Sequence, residues 1–378
     1  MKTQCHPYIE ISRGMSSPDT TSTLSDSTRQ SYQAIWGSKI LLRPFEELVK
    51  VQWGWSARDL ANEMMERQHN LLETLYGICF QTFGGARFSL RFVQQADKSP
   101  LSIFLFAKIS ACSEDEVENK ARKLWNQIQS VFPYDYALEP LISAEKLKPC
   151  MTIPAQSNGT DYGAVIYPLV QTLRSRQHEK QRATRILGTW GGANTNPENI
   201  WRVLHHTQAL TILDILLQPT IVKKHEIDYL ITSTEALTNA TKTDMLIGQL
   251  MKERASTMSQ RVLALHKAFM IQVRLISSGD VSTTARVISS ALTNKGQPHQ
   301  LHTNIFSLND HNAPWLTKKF IEMDFIPFRR GIHPALQRIP FIATIPEAQT
   351  IFRLPILPKG GIPGLNMEYQ SNKVAQDV

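Results

Sequence analysis

Three histidines near residue 300, His299, His302 and His311, with Asp310 beside the last, are of the side-chain types that suit Zn²⁺. Solvated loop histidines are the simpler reading, because His299 follows Pro298 in a polar stretch and no cysteine lies near. His178-Glu179 and His225-Glu226 set a base beside a carboxylate, yet no nucleophile accompanies either pair and G-x-S-x-G does not occur. His205 and His206 are adjacent, so on a helix their rings diverge and cannot chelate as i,i+4 ligands do; one is expected to face the core and the other water. Nor does G-x-x-x-x-G-K-[ST] occur, which leaves no phosphate cradle and no hydroxyl for Mg²⁺. The expectation is a protein that is not an enzyme, with no catalytic residue, no cofactor and no metal.

A second chemistry is open to Arg174, Arg176, Lys180, Arg182 and Arg185, the densest basic stretch, with Trp190 close behind. Such a segment can neutralise phosphates while an aromatic ring stacks on a base. The bland alternative is a solvated loop or helix face. Trp36, Trp53 and Trp55 near Lys39 and Lys50 pose the same choice, with packing anchors the simpler role. Over the whole chain, 41 Lys and Arg against 33 Asp and Glu give a net charge of +8, modest for 378 residues. The four cysteines, Cys5, Cys79, Cys112 and Cys150, lack C-x-x-C spacing and are too few for a disulfide framework, so each is expected to be a buried thiol in a reducing, cytoplasmic setting. Apolar runs such as residues 209–217 fall well short of the ~20 residues a membrane span requires. The start of the chain carries no apolar signal region.

The elements that would position these residues read as α+β. Residues 1–35 are expected to be a disordered tail, since 12–31 are dense in Ser, Thr, Asp and Gly. A strand over 39–44 is then followed by an amphipathic helix from Ser56, with Leu60, Met64, Leu71, Leu72 and Leu75 on its apolar stripe. In residues 86–93, Phe88, Leu90 and Phe92 share one face of a strand, and Arg87, Ser89 and Arg91 the other. A polar turn leads into a buried strand over 101–109. Ser113 with Glu116 forms a capping-box pattern for a helix through Val117, Ala121, Leu124, Trp125 and Ile128, and a strand follows around 136–142. The same order returns later, with a strand at 267–276, a helix through Val281, Ala285 and Ile288, and a third element at 300–308. Before it, 209–221 reads as a strand and 225–265 as helical. The pattern predicts two split-βαβ, ferredoxin-like units with antiparallel or mixed sheets and an intervening helical segment. The boundaries are 36–150 for the first unit, 151–310 for the second with its helical insertion, and 311–378 for a connector.

That connector, Thr344-Ile-Pro-Glu-Ala-Gln-Thr-Ile-Phe-Arg-Leu-Pro-Ile-Leu-Pro-Lys-Gly-Gly-Ile-Pro-Gly-Leu365, carries a resemblance. It resembles the segment that joins an N-terminal αβ region to the P-loop domain in ATPases of the HerA/FtsK superfamily, related to conjugation and type IV secretion motors. Residues 88–141, 213–220 and 263–308 are similar to further parts of that N-terminal region. The resemblance implies a cytoplasmic assembly and docking companion of a separately encoded, DNA-translocating P-loop ATPase, and it allows a homo-oligomer. Phe352, Arg353, Leu354 and Pro355 are then the partner-binding candidates. Within the connector, Phe352 and Leu354 are expected to anchor apolar contacts, and Pro355 and Pro358 to keep the backbone extended. The alternative is a nucleic-acid-binding module built on Arg174, Arg176, Lys180, Arg182 and Arg185.

Overall fold

The computed structural model describes residues 6–15, 30–44, 47–48, 56–152, 162–168, 170–175, 182–191, 198–240, 245–293, 301–307, 313–326, 334–356, 361–362 and 364–370. In chain order the elements are β1 (Ile9–Met15), β2 (Gln30–Leu42), α1 (Ala57–Gln81), β3 (Arg87–Gln94), β4 (Ser102–Ala111), α2 (Glu114–Val131), β5 (Tyr136–Pro140) and α3 (Ala144–Met151). They continue with β6 (Tyr162–Pro168), β7 (Val170–Ser175), β8 (Arg182–Leu187), α4 (Glu198–His205), β9 (Thr211–Thr220), α5 (Lys224–Ala240), α6 (Met245–Ala264) and β10 (Ala268–Ser277). The last are α7 (Ser282–Ala291), β11 (Leu301–Ser307), α8 (Ala313–Ile321), β12 (Ile342–Thr344) and α9 (Ile345–Ile351).

The architecture is mixed α/β around one 10-stranded antiparallel sheet in the order β1-β2-β4-β3-β9-β10-β6-β11, with β5 on β2 and β12 on β10. Two runs of chain fill this sheet in the same way. The sequence β2-α1-β3-β4-α2-β5 gives the spatial order β5-β2-β4-β3, and β6-α4-β9-β10-α7-β11 gives β11-β6-β10-β9. The two meet where β3 pairs with β9, from Phe88 opposite Leu217 to Gln94 opposite Thr211. Each half also sets a glycine under an aromatic ring. Phe106 lies opposite Gly37 and Phe306 opposite Gly163, and a Cβ at Gly37 would stand 2.6 Å from the Phe106 ring.

Sequence chemistry explains where the helices start. Ser56 caps α1, its hydroxyl accepting from the Asp59 amide while Asp59 accepts from the Ser56 amide; Ser113 accepts from Glu116 at the start of α2. The apolar stripes of α1, α2, α4 and α7 then bury against a single face of the sheet, which carries Phe88, Leu90, Phe92, Leu105, Leu213, Ile215, Ile271 and Val273. Trp36 and Trp125 meet edge to face there, 5.1 Å apart. On the opposite face α3 and α8 bring Leu147, Met151 and Phe320 against Phe104, Phe106, Ile212 and Leu216. The helices α5 and α6 form a hairpin inserted between β9 and β10, and it packs on short 3-10 turns at Pro334–Gln337 and Ile339–Phe341.

The tail expected over residues 1–35 is in part strand. In β1 and the start of β2, Ile9, Ile11 and Tyr32 alternate with polar residues and lean on the main core. The polar composition of 12–31 does not extend to its flanks, where Ile9, Ile11 and Tyr32 carry the alternation. The cysteines also differ from expectation: Cys79 is buried and its thiol is pushed up to about 12 by burial, whereas Cys112 is exposed and Cys150 half-buried. Cys5 lies outside the described residues. No helix among the described residues is long and apolar enough to cross a membrane.

Candidate functional site

The most concentrated chemistry lies where the halves join. Strand alternation sends Arg91 of β3, Asp214 of β9 and Arg274 of β10 to the face opposite Phe88, Leu90 and Phe92, and register aligns them, with both arginines directly opposite Asp214. All three are buried. The Arg91 Nε donates to Asp214 Oδ1 at 2.9 Å and the Arg274 Nε donates to Oδ2 at 2.7 Å; the Ser89 hydroxyl also donates to Oδ1. Burial opposes the charge on Asp214, but Arg274 and Arg91 outweigh it and hold the carboxyl below its usual range. Burial likewise pulls Arg91 below its ordinary value against the pull of Asp214.

The remaining guanidinium protons find helix ends. Arg91 donates to the carbonyls of Cys150 at 3.1 Å and Met151 at 3.2 Å, which close α3, and to that of Phe320 at 3.0 Å in α8. Arg274 donates to the carbonyls of Lys319 and Asp324. Two helix C-termini, each with partial negative charge, therefore converge on the two cations. The Phe320 ring lies 4.2 Å from the Arg91 guanidinium carbon and 5.3 Å from that of Arg274. Beside this triad, Asp324 accepts from Lys108 at 2.8 Å, Lys319 at 2.9 Å and Arg87. Burial resists its charge as well, and Lys108 followed by Arg87 holds its carboxyl far below the ordinary range. Every nitrogen of both buried guanidiniums has an acceptor. The cluster's chemistry is that of a lock on strand register and on α8.

The connector is a second built region. Thr344-Ile-Pro-Glu347 is a capping box: Thr344 Oγ1 accepts from the Glu347 amide and Glu347 accepts from the Thr344 amide at 2.8 Å. Pro346 fits the first turn of α9 because no amide is required there. Glu347 is buried and paired with Arg261 of α6 at 3.1 Å, and Arg261 also donates to the Ile342 carbonyl at 2.6 Å. Beyond α9, Phe352 and Leu354 enter the core under α1, as expected of apolar anchors. The Gln68 side chain takes both backbone groups of Leu354, donating to its carbonyl at 3.2 Å and accepting from its amide at 3.0 Å. The Tyr136 hydroxyl donates to the Pro355 carbonyl at 2.9 Å. Arg353 lies along Met65 with its Nη2 3.2 Å from the sulfur. Gly361 and Gly364 turn the chain at φ +75°, open to glycine alone without strain. Met367 and Tyr369 then form parallel bridges with Leu101 and Leu42, and Glu368 pairs with Lys39. The four partner-binding candidates thus make contacts within their own chain, and the connector runs from β10 across α1 to β2.

The basic segment is an antiparallel ribbon. Its strands β7 and β8 form a separate 2-stranded sheet in which Arg174 lies opposite Ala183, Arg185 opposite Thr172 and Arg182 opposite Ser175. Arg176 and Lys180 lie outside the described residues. Trp190 is buried, so it cannot stack on a base as the sequence suggested; Trp36 is buried too, and Trp53 and Trp55 lie outside the described residues. Among the histidines, His299, His311 and the neighbouring Asp310 fall outside the description, and the backbone of His302 pairs with Tyr167 in β11. No cluster of metal-ligating side chains occurs among the described residues. His205 faces Gln94 at 3.0 Å, its pKa lowered by burial and then by His206, while His206 is exposed. Glu226 of the His225-Glu226 pair accepts from the Lys223 amide and faces Arg338; His178 and Glu179 lie outside the described residues.

The sequence pattern missed Asp214 as a partner for Arg91, because an aspartate inside an apolar strand of a distant segment gives no sign of what it faces. It also missed Glu347, although T-x-x-E was there to read. No family profile matches the chain, and no curated protein matches it.

Proposed function

We propose that the protein is a non-catalytic assembly and docking companion of a P-loop ATPase of the HerA/FtsK type, a DNA-translocating motor related to conjugation and type IV secretion, with the ATPase domain lying outside residues 1–378. Each half of the sheet is read as a split-βαβ, ferredoxin-like unit, in keeping with the strand order that both halves share. The connector carries this reading. It is fastened to both halves by the Glu347–Arg261 pair, the Gln68 clamp on Leu354 and the bridges at Met367 and Tyr369. A chain held so firmly passes position and force from the sheet to whatever binds beside it. Cytoplasmic location and a ring-like homo-oligomer belong to the same proposal. It is tested by co-purifying the chain with P-loop ATPases encoded nearby, across a range of salt. A stable complex with one of them is expected, and binding to none rejects the companion role.

A second reading, a nucleic-acid-binding module, is favoured by the shape of the basic segment. A two-stranded ribbon is of the size that the major groove admits. If all five basic side chains reach phosphates, log affinity falls against log salt with a slope of about −4.5, and Arg176→Ala with Arg182→Ala reduces it by about two. A flat salt response removes this reading.

A further inference from the structure

The cations around α8 outnumber the acids that hold them. Arg87, Arg91, Lys108, Arg274 and Lys319 converge on two carboxylates, Asp214 and Asp324, a surplus of three charges among the described residues. Glu322 at the rim is paired with Lys318 at 3.7 Å and leaves that balance unchanged. The C-terminal ends of α3 and α8, at about half a negative charge each, offset roughly one, so that about two positive charges remain. Uncompensated charge in a partly buried region is costly. Burial, opposed by Asp324 and then reinforced by Arg87, holds Lys108 below its ordinary value, so repulsion between the cations is felt inside the cluster.

The surplus reaches solvent at Arg87 and Lys319. Arg91, Lys108 and Arg274 are buried, but Arg87 is 21 % exposed and Lys319 24 %. Asp324 is clasped from both sides there, Oδ1 accepting from Arg87 and Lys108 and Oδ2 from Lys319 at 2.9 Å. The Arg87 Nε is fixed by the Gln218 side-chain carbonyl at 3.1 Å and its Nη1 by Asp324 and the Met323 carbonyl, which leaves Nη2 with no acceptor among the described residues. The Lys319 ammonium has three N–H groups and uses one on Asp324.

We propose that Arg87 and Lys319 form a binding site for a phosphate dianion, either inorganic or terminal on a small phosphomonoester. One phosphate group accepts from Arg87 Nη2 on one side of Asp324 and from the Lys319 ammonium on the other, and its double charge matches the surplus behind it. A phosphodiester carries one charge and matches half of it. The site rests on neither reading proposed above.

The probes are inorganic phosphate, phenyl phosphate and dimethyl phosphate, titrated into the full chain at fixed ionic strength and about pH 8, where a phosphomonoester is a dianion. Calorimetry and the thermal midpoint are the readouts. Inorganic phosphate is expected to bind at one site with a Kd on the order of 1 mM and to raise the midpoint saturably. Arg87→Gln and Lys319→Gln are each expected to weaken it roughly tenfold or more. Lys319→Arg keeps the charge and retains binding, and Lys120→Gln on α2, which packs on the other face of the sheet, leaves it unchanged. Should Arg87→Gln not fold, the more exposed Lys319→Gln decides. Equal affinity for phenyl phosphate assigns the site to phosphorylated molecules, whereas a tenfold or greater preference for the free ion assigns it to inorganic phosphate. Dimethyl phosphate bound as tightly as inorganic phosphate, or a midpoint that rises without saturating and equally in both Gln variants, as anion exclusion from the surface produces, overturns the proposal.

Discussion

The two faces of β3 are buried to nearly the same degree by opposite chemistry. Phe88, Leu90 and Phe92 enter an apolar layer under α1 and α2, while Ser89 and Arg91 enter a charged layer under α3 and α8. Apolar burial is non-directional, so one packing residue can stand in for another of similar volume. A buried charge is held only by partners at fixed positions, and loss of one leaves the rest uncompensated. The face that fixes register across the seam is therefore the charged one. Asp214→Asn keeps the shape and removes the anion between two buried guanidiniums, and it is expected to cost about 3–5 kcal/mol. Chemical denaturation measures this directly. A cost below about 1 kcal/mol would mean that the helix carbonyls alone support both arginines.

Asp324 sharpens the same contrast, being less deeply buried than Asp214 and shared among Lys108, Lys319 and Arg87. Asp324→Asn is expected to cost about 1–3 kcal/mol. Its carboxyl is depressed in the folded protein, where burial is outweighed by Lys108 and then Arg87, and an unfolded Asp titrates near 3.9. Its contribution is therefore complete above about pH 4 and is lost as the pH falls toward the folded value. Wild-type stability should drop below about pH 4, with a shallower drop in Asp324→Asn. Parallel acid titrations would refute the assignment. On the apolar face, Leu90→Met is expected to stay within about 1.5 kcal/mol of wild type in the same denaturation assay. If it costs as much as Asp214→Asn, the two faces do not differ in tolerance.

This contrast also explains what could be read from the sequence. Local signals were legible: Ser56 and Ser113 as caps, the alternation of Phe88, Leu90 and Phe92, and the helical stretch that became α5 and α6. Non-directional burial leaves a periodic trace, so the apolar face was visible. The charged face shows its alternation, Arg87, Ser89 and Arg91, but not its partners, because Arg91 meets Asp214 across 123 residues and Phe320 across 229. The strands β1 and β6 and the short helices α3 and α4 were missed for a related reason. Each is short and owes its form to a neighbour in the sheet or core more than to its own propensity.

Both kinds of contact recur within the connector, where they are separable. The Thr344–Glu347–Arg261 group is directional and lies at α9, while Phe352 and Leu354 sit in the apolar layer with their backbone held by Gln68. Thr344→Ala removes the cap and is expected to cost about 1 kcal/mol. Amide hydrogen exchange resolves where that cost falls. The Glu347 amide loses its hydroxyl acceptor and should exchange faster, while the Leu354 amide, bonded to Gln68 and buried, should keep its protection. Equal loss of protection at both would show that the cap governs the whole strap, so that the connector opens as one unit whose hold on the sheet is set at α9.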